Sequence, residues 1–244
     1  MPRYARRKLN GEYYHIVVQG LKKEFIFNSK EDKQKYLEII KNKLLKYKEK
    51  IRIIAYCIMG NHAHLLIRTS ETQYMSDFMQ RINTIYAKYY NSKNDRVGYV
   101  FKNRFYSEPI KNESHLKNCI VYIHKNPVKA TMVANYKEYN YSSINEYLNE
   151  RNIISEKELE NIFGVSKGKA FKDIIGLLHD KYEEYEFLDV DKNENFKQFI
   201  ELSKIIGRTN EQITIELSEK YKLSQRKIAE LLNIKRNQVI KILK

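Results

Sequence analysis

Ile51-Arg-Ile-Ile-Ala-Tyr-Cys-Ile-Met-Gly-Asn-His-Ala-His-Leu-Leu-Ile-Arg68 consists of two apolar, β-branched runs joined by Gly60-Asn61. The turn chemistry of that joint predicts a β-hairpin. Upstream, Tyr13-Tyr-His-Ile-Val-Val-Gln19 is aromatic and β-branched, as expected of a strand with one face buried. Between that strand and the hairpin, residues 30–48 place Tyr36, Leu37, Ile40, Leu44 and Tyr47 at three- and four-residue intervals with lysines opposite, an amphipathic helix. Downstream, Phe78, Ile82, Ile85 and Tyr89 keep the same period from Gln73 to Tyr90, and Gly98 precedes a strand-like run from Tyr99 to Tyr106. Strand, helix, strand, strand, helix, strand is a split βαβ unit. The expected fold is therefore α+β, a ferredoxin-like antiparallel sheet with both helices on one face and the other face available.

A further helix is expected from Glu113 to about Asn126, where Leu116, Ile120 and Ile123 share a face and Pro127 supplies the stop. Beyond Leu148 the pattern is helical throughout, with an acidic stretch from Glu183 to Glu194 as a soft boundary. Leu217, Tyr221, Ile228, Ala229, Leu232, Ile234, Val239, Ile242 and Leu243 follow the period of three short helices with tight connections. The expected division is a catalytic domain over 1–150, a helical connector over 151–195 and a smaller helical region over 196–244.

A net charge of +15, from 45 Lys and Arg against 30 Asp and Glu in 244 residues, favours a polyanionic partner, with nucleic acid first. The two cysteines, Cys57 and Cys119, are too few for a disulfide framework and lack structural-zinc spacing. No apolar run reaches the length of a membrane span, and the basic start is followed by no apolar signal segment. A cytoplasmic protein without a membrane partner is expected.

His62 and His64, two apart at the start of a strand, project from the same face and can grip one divalent ion. Two imidazoles alone bind weakly, so oxygens from a phosphate, and a hard ion such as Mg²⁺ or Mn²⁺, would complete the shell. The plain alternative is a pair of strand histidines without a ligand. Two blocks argue otherwise. Asn61-His-Ala-His-Leu-Leu-Ile67 resembles the His-hydrophobic-His (HUH) motif of single-tyrosine transposases, with Gly60 where proline is usual. Tyr122-Ile-His-Lys-Asn-Pro-Val-Lys-Ala130 is similar to the Tyr-Ile-X-X-Asn-Pro-Val-Arg-Ala-Gly segment of the same family, especially its repeat-associated branch. There Lys129 replaces the usual arginine and Thr131 the usual glycine. The resemblance runs from about Tyr13 to Tyr147.

The resemblance implies an HUH endonuclease fold in which Tyr122 attacks a DNA phosphodiester, keeps the 5′ phosphate and frees a 3′ hydroxyl. It also implies Asn126 as third, amide-oxygen metal ligand beside His62 and His64. A phenol of pKa about 10 is a poor nucleophile at neutral pH and needs a metal, a base or nearby positive charge. Lys125 and Lys129, three and seven residues on, would share the Tyr122 face of a continuous helix. His124 should face elsewhere, and nothing in the sequence gives His15 or His115 a role.

Charge interleaves with aromatic rings in Arg3, Tyr4, Arg6 and Arg7, and again in Phe101, Lys102, Arg104 and Phe105, as suits single-stranded DNA, to which hairpin shape could add selectivity. The plain reading of the second segment is an amphipathic strand. Near the C-terminus, Ser224 to Leu243 resembles a helix-turn-helix, Ser224 capping its first helix. A turn at Asn233-Ile234 then brings Lys235, Arg236, Asn237 and Gln238 to the front of a helix suited to a major groove of duplex DNA. A generic three-helix bundle is its plain alternative. Three functions remain distinct: an active strand transferase, a domesticated DNA-binding regulator on the same fold, and a small-molecule phosphoesterase using water. Monomer and homodimer stay equally open.

Overall fold

The computed structural model describes residues 11–47, 50–150, 152–181, 200, 203–204, 207–219 and 225–243. Arg3, Arg6, Arg7, Ser224 and the whole acidic stretch from Glu183 to Glu194 lie outside them. The chain divides into two compact units, residues 1–188 and 189–244.

In the first unit, Tyr13–Gln19 (β1), Lys30–Leu44 (α1), Ile51–Ile58 (β2), His62–Thr69 (β3), Thr72–Lys93 (α2) and Tyr106–Pro109 (β4) follow the expected alternation. The strands form one antiparallel sheet in the order β2-β3-β1-β4. Tyr13 faces Arg68, His15 faces Leu66, Val17 faces His64 and Gln19 faces His62. Strand alternation therefore puts Tyr14, Ile16, Val18, Ala63, Leu65 and Ile67 on one face, and His15, Val17, His62, His64 and Leu66 on the other. Right-handed crossovers place α1 and α2 together over the first face. There Tyr36 donates to Asn83 Oδ1 at 2.8 Å, and its ring meets Tyr86 edge-on at 5.1 Å.

Ser29 caps α1 by accepting from the Asp32 amide, while Asp32 returns a bond to the Ser29 amide. That helix ends four residues earlier than its periodicity suggests, because Lys46 and Tyr47 turn back onto the Lys43 and Leu44 carbonyls. Tyr47 still reaches the core against Phe78, 5.5 Å between rings.

Three further expectations are corrected. The run from Tyr99 to Phe105 is a loop, meeting the sheet at one bridge between Gly20 and Phe101; only Tyr106–Pro109 pairs with β1. Gly98, at φ +100°, precedes this loop, and Asn103 and Arg104 lie outside the ladder. The second sheet face is not available either. Glu113–Lys129 (α3), capped by Asn112, lies across it, because Cys119, Ile120, Tyr122 and Ile123 need an apolar surface to cover them.

Pro127 does not stop α3, which runs through it to Lys129. The end is a Schellman motif: the Met132 amide donates to the Pro127 carbonyl and the Thr131 amide to Val128, each at 2.9 Å. Thr131 occupies the left-handed position at φ +54°.

Beyond α3, Ile144–Leu148 (α4), Glu156–Phe163 (α5) and Gly168–Asp180 (α6) complete the unit. The chain between them is not wholly helical. It closes the outer edge of β2, with an antiparallel bridge at Cys57 and Ser142 and a parallel one at Ile53 and Ile154. Glu146 holds this wrap: its carboxylate accepts the Tyr56 hydroxyl at 2.7 Å and the amides of Asn152, Ile153 and Ile154 at 2.8, 2.8 and 3.1 Å. Buried Glu158 of α5 pairs with Arg68 at 2.8 Å and accepts from the Tyr13 hydroxyl at 3.3 Å. Burial first, then the Glu158 charge, pushes that phenol up to about 12.

In the second unit, Asn210–Glu219 (α7), Gln225–Leu232 (α8) and Arg236–Ile242 (α9) bury Ile213, Leu217, Ile228, Leu232 and Val239. Asn233, left-handed at φ +53°, makes the turn between α8 and α9. No helix among the described residues is long and apolar enough to cross a membrane.

Candidate active site

The β2–β3 turn is held from outside. The Gly20 amide donates to Asn61 O and the Phe27 amide to Gly60 O, both at 2.8 Å. The Phe25 ring lies over Gly60, where an added Cβ would meet it at 2.7 Å and the ring would have to shift. Gly20 has its own reason: a Cβ there would fall 2.3 Å from the Glu24 carbonyl.

From this turn β3 starts directly at His62, so His62 and His64 project from one sheet face, their rings perpendicular with centroids 4.8 Å apart. Asn61 Oδ1 lies 2.6 Å from His62 Nδ1. An amide oxygen only accepts, so that nitrogen carries the proton and the lone pair is on Nε2. His64 Nδ1 lies 3.0 Å from His15 Nε2 on β1, with the two rings 12° from parallel. The other nitrogen of His64, Nε2, is buried and has no hydrogen-bond partner among the described residues. Burial pushes the His15 imidazole down to about 3, helped by the nearby charges of His115 and His62. Burial likewise holds His64 well below the usual range, so both rings are neutral at physiological pH.

Tyr122 enters from α3. Its ring stands edge-on to His64 at 5.6 Å and to His15 at 5.7 Å. Tyr122 is only 3% exposed, and His62 and His64 are buried with it. Lys129 Nζ lies 5.1 Å from the Tyr122 ring centre, whereas Lys125 is turned to α6 and donates to the His179 carbonyl at 2.7 Å. Asn126, buried one turn beyond Tyr122, donates its amide nitrogen to Tyr122 O at 2.9 Å. The nitrogen end is thereby engaged, and the carbonyl oxygen is the end of the amide that can act as a ligand.

A divalent ion fits this donor set. A buried, unpartnered imidazole nitrogen is what a ligand presents, and His62 carries its lone pair on the same ring atom. Among the described residues no group of three or more His, Cys, Asp or Glu side chains is placed to hold a metal. The set is thus two imidazoles with oxygens from an amide, a phosphate or water.

His124 points away from the site, as expected. It bonds Ser143 Oγ at 2.8 Å and His179 Nε2 at 3.2 Å. His115 accepts from the Lys111 amide at 3.1 Å. Sequence reasoning missed His15, and the signal that could have found it is its register against His64. Lys102 and Arg104 are exposed on the loop before β4. In the second unit Lys235, Arg236, Asn237 and Gln238 are exposed at the front of α9, where Gln238 Oε1 accepts from the Lys235 amide at 3.0 Å.

Residues 8–126 match the family described as Transposase IS200 like. Among solved structures, a REP-associated tyrosine transposase bound to a REP hairpin is similar, with 17% identity and a TM-score of 0.49, covering 64% of this chain and 89% of that one. None of the curated proteins matches.

Proposed function

We propose, from the match of residues 8–126 to the IS200-like transposase family, that this chain cleaves single-stranded DNA and rejoins it through a 5′-phosphotyrosine on Tyr122. The observation that carries the reading is the meeting of Tyr122, His64 and His15 between α3 and the sheet. In the proposed step the Tyr122 oxygen attacks phosphorus and gives up its phenolic proton to solvent, and the bond to the 3′ oxygen breaks, that oxygen taking a proton from solvent to become a 3′ hydroxyl. Attack by a 3′ hydroxyl on the same phosphorus reverses it, so bond energy is kept for strand transfer.

His62, His64 and the Asn126 oxygen are the residues that would hold Mg²⁺ or Mn²⁺. When bound, such an ion polarises the scissile phosphate and offsets charge developing on it. Lys129, over the Tyr122 ring, favours the phenolate as it forms. Lys125, held by the His179 carbonyl, is better placed to fix the end of α3 or a flanking phosphate. Exposed Lys102 and Arg104, with Arg3, Arg6 and Arg7, would track phosphates of a hairpin-forming strand. In the second unit α8, the Asn233 turn and α9 would act as a helix-turn-helix on duplex DNA, Lys235, Arg236 and Asn237 leading and Gln238 partly committed to its own helix.

The deep burial of Tyr122, His62 and His64 supports a second reading, a DNA-binding regulator that no longer turns over. In the first reading, a phosphodiester reaches Tyr122 only after local opening. Incubating the full chain with end-labelled hairpin DNA and Mn²⁺ separates the two. A denaturation-resistant adduct absent from Tyr122→Phe is expected. An adduct of equal yield in that variant refutes the nucleophile, and strand binding without any adduct in the wild type favours the regulator.

A further inference from the structure

We infer that His15 is a positioning residue for the metal site: it accepts a hydrogen bond from His64 Nδ1–H and so keeps the lone pair of His64 on Nε2. The inference rests on the metal-dependent reading above and adds a residue that neither motif contains. Its basis is geometric. His15 Nε2 and His64 Nδ1 are 3.0 Å apart in nearly parallel rings, and both side chains are fully buried. One of the two nitrogens must donate and the other accept.

If His15 donated, His64 would carry its own proton on Nε2. That N–H would then be buried with no acceptor among the described residues. The reverse arrangement shifts the second buried proton to His15 Nδ1 and leaves His64 Nε2 with the lone pair that a metal ligand requires, and that requirement selects it. His62 is set the same way by a different neighbour, since the Asn61 amide oxygen fixes its proton on Nδ1. The two ligands therefore present equivalent nitrogens through two unlike partners, one on the hairpin turn and one across the sheet on β1.

Metal-bound histidines commonly donate their second N–H to a carboxylate or a backbone carbonyl. A neutral imidazole in that place is a weaker acceptor. It orients the ring and fixes the tautomer without adding negative charge next to the phosphate that the site has to admit.

The test uses the full chain, with Mn²⁺ as the probe and no DNA. Titration calorimetry should show Mn²⁺ binding that His62→Ala abolishes. His15→Phe keeps a planar ring but no acceptor and should weaken that binding about 10- to 100-fold. His15→Gln, whose amide oxygen falls close to the position of Nε2, should restore most of it. Independently, imidazole ¹⁵N spectra of the metal-free wild type should show His64 protonated on Nδ1. A His64 proton on Nε2 overturns the inference, as does unweakened Mn²⁺ binding by folded His15→Phe. Should His15→Phe fail to fold, the wild-type tautomer and the His15→Gln affinity decide. Absence of His62-dependent Mn²⁺ binding in the wild type would instead remove the metal reading itself.

Discussion

Replacing Thr131 by glycine should stabilise the unit spanning residues 1–188 by about 1 kcal/mol. Thr131 closes the Schellman motif of α3 at φ +54°, where a side chain crowds the following carbonyl. For an L-residue that conformation costs about 1–2 kcal/mol, and a β-branched side chain belongs at the upper end. The side chain is exposed, so little packing is lost on removing it. Against this gain, glycine returns about 0.4–1 kcal/mol of freedom to the unfolded chain. The difference, about 1 kcal/mol, corresponds to a Tm increase of about 2–4 °C for a unit of this size. Thr131→Ala relieves the branch but keeps Cβ and should recover less than half. Urea denaturation followed by circular dichroism, with thermal melts alongside, measures both variants. A glycine variant no more stable than wild type, or less stable than the alanine variant, would refute the reasoning.

Two other outcomes concern the packing around the site. Burial pushes the His179 imidazole down to about 4, so it is neutral when folded and titrates near 6.5 when unfolded. Its contribution is intact above pH 6.5 and is lost as pH falls toward 4, reaching about 2 kcal/mol at pH 5; urea midpoints at pH 7 and 5 should differ less in His179→Gln than in wild type. Glu146→Ala leaves three backbone amides and the Tyr56 hydroxyl without their acceptor and should cost about 3 kcal/mol or more, read as a lower urea midpoint. A loss below about 1 kcal/mol would mean water replaces the carboxylate.

The sheet was legible because period-two and period-3.6 patterns alternate cleanly from Tyr13 to Tyr90, and turn residues sit where the hairpin needs them. His15 was not, because the face a strand residue takes depends on register, and one residue of slip between β1 and β3 would send it to the opposite side. Helical spacing correctly brought Lys129 to Tyr122. It could not show that Lys125, nearer in sequence, is drawn off by a carbonyl of α6. The proline rule misplaced the end of α3 because a single missing amide is tolerated in a last turn whose other carbonyls are satisfied by Ala130, Thr131 and Met132. The loop before β4 has strand-like composition, yet its rings are apportioned singly: Phe105 inward, Tyr99 to solvent.

The wrap of residues 141–150 and 152–155 along β2 leaves the sheet with little to offer a foreign strand. An unpaired edge recruits other extended chains through its idle amides and carbonyls, the usual start of fibrous self-association. Here Ser143 and Ser155 occupy that row on β2, their amides donating to Tyr56 O at 2.9 Å and Ile53 O at 2.8 Å. The opposite border is β4, four residues long and ending in Pro109, which has no amide proton. Both borders of the sheet are thus closed to stray strands of polypeptide, one by a wrap lying beyond the family-matched residues 8–126 and the other by a short strand within them.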